Sequence, residues 1–172
     1  MKKLATLVIA CGLSWTASAC VNDPTPIERA ARVARAQCLD PKVVHDEERI
    51  LQQTVVVKVE PVTSVSWSTR QQGAFFVGAT RLYAIPPERI SADEMARVLQ
   101  CHSAKAVLNN VDPAAFADDP FFLPDAWVDT EVKAERGLYV VTVSADKVWQ
   151  NLALLRRANA FANAHREVSS SF

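Results

Sequence analysis

Only four glycines occur in 172 residues, and the 19 lysines and arginines equal the 19 aspartates and glutamates. The scarcity of glycine leaves little material for loops that cradle phosphate, and the balanced charge removes the positive excess on which nucleic-acid binding rests. Three histidines and four cysteines are present, and none stands at zinc or haem spacing. The chain has no Cys-x-x-Cys, no Cys-x-x-Cys-His and no His-Glu-x-x-His. Serines are frequent, yet none has the Gly-x-Ser-x-Gly surroundings that expose a nucleophile on a sharp turn. No apolar run approaches the roughly 20 residues a helix needs to cross a bilayer. What is present, 49% hydrophobic and 22% charged residues, suits one folded domain.

The first nineteen residues read as a secretory signal. Lys2 and Lys3 open the chain, Leu4 to Leu13 is almost wholly apolar, and Ala17-Ser18-Ala19 places small residues ahead of Cys20. Removal of this leader takes away two lysines and leaves 17 basic against 19 acidic residues. The junction resembles the processing site of bacterial lipoproteins, in which the cysteine becomes the acylated first residue. That resemblance implies lipidation, as with palmitate, at Cys20 and a membrane partner through the anchor. Because Val21 follows in place of aspartate, it also implies the periplasmic face of an outer membrane. The leucine usual three residues before the cysteine is here Ala17. Together with Ala19 it also fits ordinary signal cleavage, which would give a soluble periplasmic protein. An earlier match, Val8-Ile9-Ala10-Cys11, would leave a very short apolar segment.

Cysteine parity bears on the choice. In an oxidising compartment an unpaired thiol is disfavoured, and acylation of Cys20 leaves Cys38 and Cys101 free to form a disulfide. The alternative is that both are small buried hydrophobes.

Thr25-Pro26-Ile27-Glu28 has the form of a capped helix start, and the helix should run to about Cys38. Ile27, Ala31, Ala34 and Cys38 share one expected face, opposite Arg29, Arg32 and Arg35. This arginine stripe reads as a solvated face, or as a second membrane signal beside the anchor. Asp40-Pro41 stops the pattern, and residues 42 to 52 read as a short helical turn or approach loop. Strands are expected at 54–59 and 62–67, divided at Pro61, and at 73–83 with a bend at Gly78. A second capping box, Ser91 to Glu94, opens a helix to about Leu108 that presents Met95, Val98, Leu99, His102 and Ala106 on one face. Residues 109–126 read as irregular chain pinned by Phe121-Phe122-Leu123. Strands at 127–133 and 138–144 form a hairpin through Ala134-Glu135-Arg136-Gly137. The last helix spans about 146–165, with Val148, Leu152, Leu155, Asn159 and Ala162 facing one way. The expectation is one α+β domain over 20–172, with a tether at 20–25 and helices packed over a largely antiparallel or mixed sheet.

His102 is the most pointed chemical feature, since a histidine within an apolar stripe must be buried, partnered or facing a cavity. Its neighbour Cys101 points about 100° away around the helix, so one metal cannot easily take both. His45-Asp46-Glu47-Glu48 reads as a solvated charged turn. Asp118, Asp119 and Asp125 read as surface acidity, without the ligand alternation of a calcium loop. Cys101 with His45 or His165 is a formal thiol pair without local activation. Trp67, Trp127, Trp149, Phe75, Phe76, Phe121 and Phe122 read mainly as core. These residues point to a noncatalytic, membrane-anchored envelope protein that binds another envelope protein, with no cofactor, metal or nucleic acid. The alternative is a small periplasmic hydrolase or ligand-binding protein with His102 lining a cleft.

Overall fold

The computed structural model describes residues 23–68 and 71–167, the side chains of 65–74 and 166–167 excepted. The lipoprotein-like junction, the tether through Asn22 and the side chain of Trp67 therefore lie outside the described residues. Among the described residues four helices, α1 Pro26–Gln37, α2 Pro41–Gln53, α3 Ala92–Leu108 and α4 Val148–Glu167, accompany four strands. The strands are β1 Val55–Ser68, β2 Gln71–Ile85, β3 Asp129–Glu135 and β4 Leu138–Ser144. They form an antiparallel sheet in the order β1-β2-β4-β3, with helices packed against it, an α+β fold.

Both capping boxes form. Thr25 and Glu28 satisfy each other's backbone amides at α1, and Ser91 and Glu94 do so at α3. Asp40-Pro41 ends α1 but also begins the next helix. Asp40 accepts from the Lys42 amide at 2.9 Å and Pro41 takes the first helical position, so residues 42 to 52 belong to a full helix and not to a turn. At the other end of α3, Asn110 adopts φ 46°, and the Val111 and Asn110 amides bond back to the Ala106 and Val107 carbonyls. This left-handed stop satisfies the last turn.

Pro61 does not divide two strands. It sits within the 14-residue β1, opposite Thr80, which is possible because β1 is an edge strand whose outer side carries no ladder. β4 pairs with β2 only from Thr80 to Ala84, whereas β1 and β2 remain paired as far as Ser68 and Gln71. A two-stranded arm therefore runs beyond the four-stranded sheet. The final hairpin turns at Arg136 and Gly137, both with positive φ, and its first strand begins at Asp129, so Trp127 and Val128 precede it.

The core joins Val56, Leu82, Val132, Val141 and Val143 of the sheet to Met95 and Leu99 of α3 and Leu154, Ala158 and Ala162 of α4. Two helix faces differ from the sequence reading. In α1 the fully buried residue is Ala30, packed with Ala104 and Trp127, while Ile27 is 64% exposed. Arg29 turns towards Asp146 (3.4 Å) and Asp129 (3.7 Å), which leaves only Arg32 and Arg35 of the arginine stripe on the exposed surface. In α4 the inward residues are Asn151, Leu154, Ala158 and Ala162, and Val148, Leu152 and Asn159 point out. Alanine and leucine occur all round this helix, so periodicity could not select its face. Buried Asn151 decides it by bonding both the amide and the carbonyl of Ala145 (2.8 and 3.0 Å) at the turn from β4.

Cys38, at the end of α1, is disulfide-bonded to Cys101 of α3, with Cα atoms 5.5 Å apart. The bond closes a chain separation of 63 residues, for which loop closure alone corresponds to about 4 kcal/mol. Reduction, or Cys38→Ala with Cys101→Ala, should lower stability by up to that amount and shift the urea midpoint downward; an unchanged midpoint would deny the cross-link a stabilising role.

Candidate functional site

The site forms where α2, α3 and the 109–126 loop meet. Valine and isoleucine at Val43 and Ile50 set the buried face of α2, and the turn between them carries Asp46 and Glu47 inward as well. The loop is held down by Pro120, Phe121, Phe122 and Leu123, all buried, and these draw the preceding Asp119 under the surface. His102 emerges from α3 between the two carboxylates.

Its ring donates from Nδ1 to Glu47 Oε1 at 2.9 Å and from Nε2 to Asp119 Oδ2 at 2.7 Å. Only 10% of the side chain is exposed, and the Phe116 ring covers it at a centroid distance of 6.0 Å. Burial opposes the charged imidazolium, but its hydrogen bonds to Asp119 and Glu47 outweigh that and raise the pKa to about 9. Lys105, one turn along α3, donates to the second oxygen of Glu47 at 2.5 Å. His102 and Lys105 together hold the Glu47 carboxyl below its usual value against its desolvation. On the loop side, Asp119 Oδ1 accepts from the Phe121 amide at 2.7 Å, and Ser103 Oγ lies 2.7 Å from the Phe121 carbonyl. Arg157 of α4 donates to the carbonyls of Phe116, Phe122 and Asp119. The irregular segment is therefore tied directly to α3 and α4, and through His102 to α2.

A general base needs a free lone pair on the ring, and a metal ligand needs the same. Protonated His102 offers neither while both N–H groups are engaged. Cys101 is consumed by the disulfide and cannot serve as a thiolate. His45 is exposed beside Asp46, and His165 lies with Nε2 2.7 Å from the Leu51 carbonyl. Neither is joined to Cys101. Among the described residues, no group of three or more histidine, cysteine or acidic side chains is arranged to hold a metal ion. No described helix is long and apolar enough to cross a membrane.

His45 to Glu48 is not a solvated turn, because Asp46 is 5% exposed and Glu47 bonds His102. Asp119 is not surface acidity, unlike Asp118 and Asp125, which are exposed. The aromatic residues also divide. Trp127, Phe121 and Phe122 are buried, whereas Phe75 and Trp149 are 77% and 59% exposed. The signal that could have found Glu47 was the spacing Val43, Glu47, Ile50 on one helical face.

A groove of about 400 Å³ lies alongside the same loop, between the start of α1 and the end of α3. Pro26, Ile27, Val107, Val111, Phe122 and Leu123 give it an apolar lining. No family model matches the chain, and neither a curated protein nor a solved structure matches it significantly.

The sign of the pH dependence follows from these shifts. His102 contributes its full stabilisation below its ordinary pKa of 6.5, loses it as pH rises through about 9, and the difference corresponds to about 3 kcal/mol. Glu47, with its pKa lowered from 4.5, acts oppositely, its share fading as pH falls below that value. Urea unfolding should therefore show maximal stability at about pH 5 to 6.5. The gap between wild type and His102→Gln should narrow towards pH 9.5. A gap independent of pH would refute the charged clamp.

Proposed function

We propose that the chain is a noncatalytic, exported envelope protein, held to a membrane by acylated Cys20 and using its α+β domain as a binding module for envelope proteins. The observation that carries this reading is the Cys38–Cys101 disulfide, a bond that belongs to oxidising compartments. With those two cysteines paired, Cys20 is the one left outside the leader for another chemistry, and it stands at the lipoprotein-like junction. The noncatalytic part of the reading is supported by the engagement of both His102 ring nitrogens. The hydrolase or ligand-binding alternative needs that ring open to a cleft, and the geometry gives it no such support.

Metabolic labelling with a palmitate analogue, followed by intact-mass measurement, tests the anchor. Label should be found on the wild-type chain, which should begin at Cys20 and fractionate with membranes; Cys20→Ser should lose the label and become soluble. An unlabelled, soluble wild-type chain would overturn lipidation, and a cytoplasmic chain retaining Met1 would overturn export.

A further inference from the structure

Two surface features on either side of α1 have complementary chemistry. The first is the groove described above, whose rim carries exposed Asp125 and which, among the described residues, is lined by no lysine or arginine. Asp112, also exposed, stands between lining residues Val111 and Pro113. The second is the start of α4, where Val148 and Leu152 are each 45% exposed and Trp149 is 59% exposed. Lys147 sits over the Trp149 ring, with Nζ 6.0 Å from the centroid, so the projection is both apolar and cationic. An acidic-rimmed apolar groove and a basic apolar knob match in charge and in polarity.

Their placement matters as much as their composition. Ile27 lines the groove, and two residues later Arg29 reaches Asp146, which immediately precedes Lys147. Groove and knob thus border the same N-terminal half of α1. A two-fold contact across this surface can satisfy both at once, because the knob of each copy meets the groove of the other and no complementary patch is left to propagate a filament. We infer that a second copy of this chain docks on this face, with Trp149 and Lys147 of each copy seated in the opposing groove between α1, α3 and the 109–126 loop. Tryptophan suits the role of anchor, since it fills an apolar pocket with few torsions to immobilise. This inference names a partner for the binding domain proposed above but does not depend on acylation of Cys20.

The test uses the full-length chain in cells, with the photoreactive residue p-benzoylphenylalanine in place of Trp149. Irradiation should give a covalent product of twice the chain's mass, with the junction in a peptide from the groove-lining segments 25–27, 106–113 or 122–126. Ile27 is exposed and outside the core, so Ile27→Arg should preserve the melting curve while lowering the yield about tenfold by repelling Lys147. Adding Lys147→Glu to that variant should restore most of it. Monomer alone, a product with a different protein, a junction elsewhere, or a yield insensitive to Ile27→Arg would each overturn the inference. Failure of palmitate labelling at Cys20 would leave it standing, so the two readings fail separately.

Discussion

The imidazolium of His102, held between Glu47 and Asp119, fixes the relation of α2, α3 and the 109–126 loop through partners 55 and 17 residues away in the chain. Taking several ionised groups out of water is expensive, and the loss is recovered only where each charge finds a partner of good geometry. Here two carboxylates face two cations, His102 and Lys105, at hydrogen-bonding distance. Removing one partner would leave a charge stranded under Phe116, which makes the arrangement far more sensitive to a single change than to replacement of the whole set by apolar residues. Its effect is therefore on position. α2, α3 and the 109–126 loop can meet in one way that satisfies every member, and the wall of the neighbouring groove is set by that meeting.

α3 supplies the adjacent tie as well. Cys101 and His102 are consecutive, and the 100° step between neighbours on a helix sends them in different directions. Cys101 binds the end of α1, whereas His102 binds α2 and the loop. One tie responds to redox conditions and the other to pH, yet both converge on the same turn of a buried helix. The apolar core beneath, with Leu99 fully enclosed and Met95 nearly so, gives that turn the rigidity needed for its two side chains to act as fixed points.

Where local chemistry alone decides an element, the sequence was legible. The Thr25/Glu28 and Ser91/Glu94 capping boxes start α1 and α3, and the Arg136-Gly137 turn closes the last hairpin. The α+β class followed from those elements. Where tertiary context decides, it was not. Pro61 reads as a breaker until β1 is known to lie at an edge, and Asp40-Pro41 reads as a stop although the same two residues cap the following helix. The site shows the same division. His102 was visible as a polar residue in an apolar stripe, but its partners lie 55 and 17 residues away, and no local pattern joins them. Glu47 stands in a run of charges, which ordinarily faces water, and only the burial of Val43 and Ile50 on the same helix turns it inward.

The ionisable side chains of the clamp are engaged with one another, so the groups still open to further contacts lie at the surface. An edge strand is one route, since its unpaired backbone can recruit another strand. β1 has such an edge, but it carries Pro61, which has no amide proton to donate, and the Lys58–Glu60 ion pair, devices that discourage strand addition. The groove beside α1 has no comparable guard. Its apolar lining lies open next to a loop clamped in place by His102 and Arg157, and a rigid wall loses little conformational freedom when something is seated against it. The clamp that engages both ring nitrogens of His102 thus also fixes one wall of that groove.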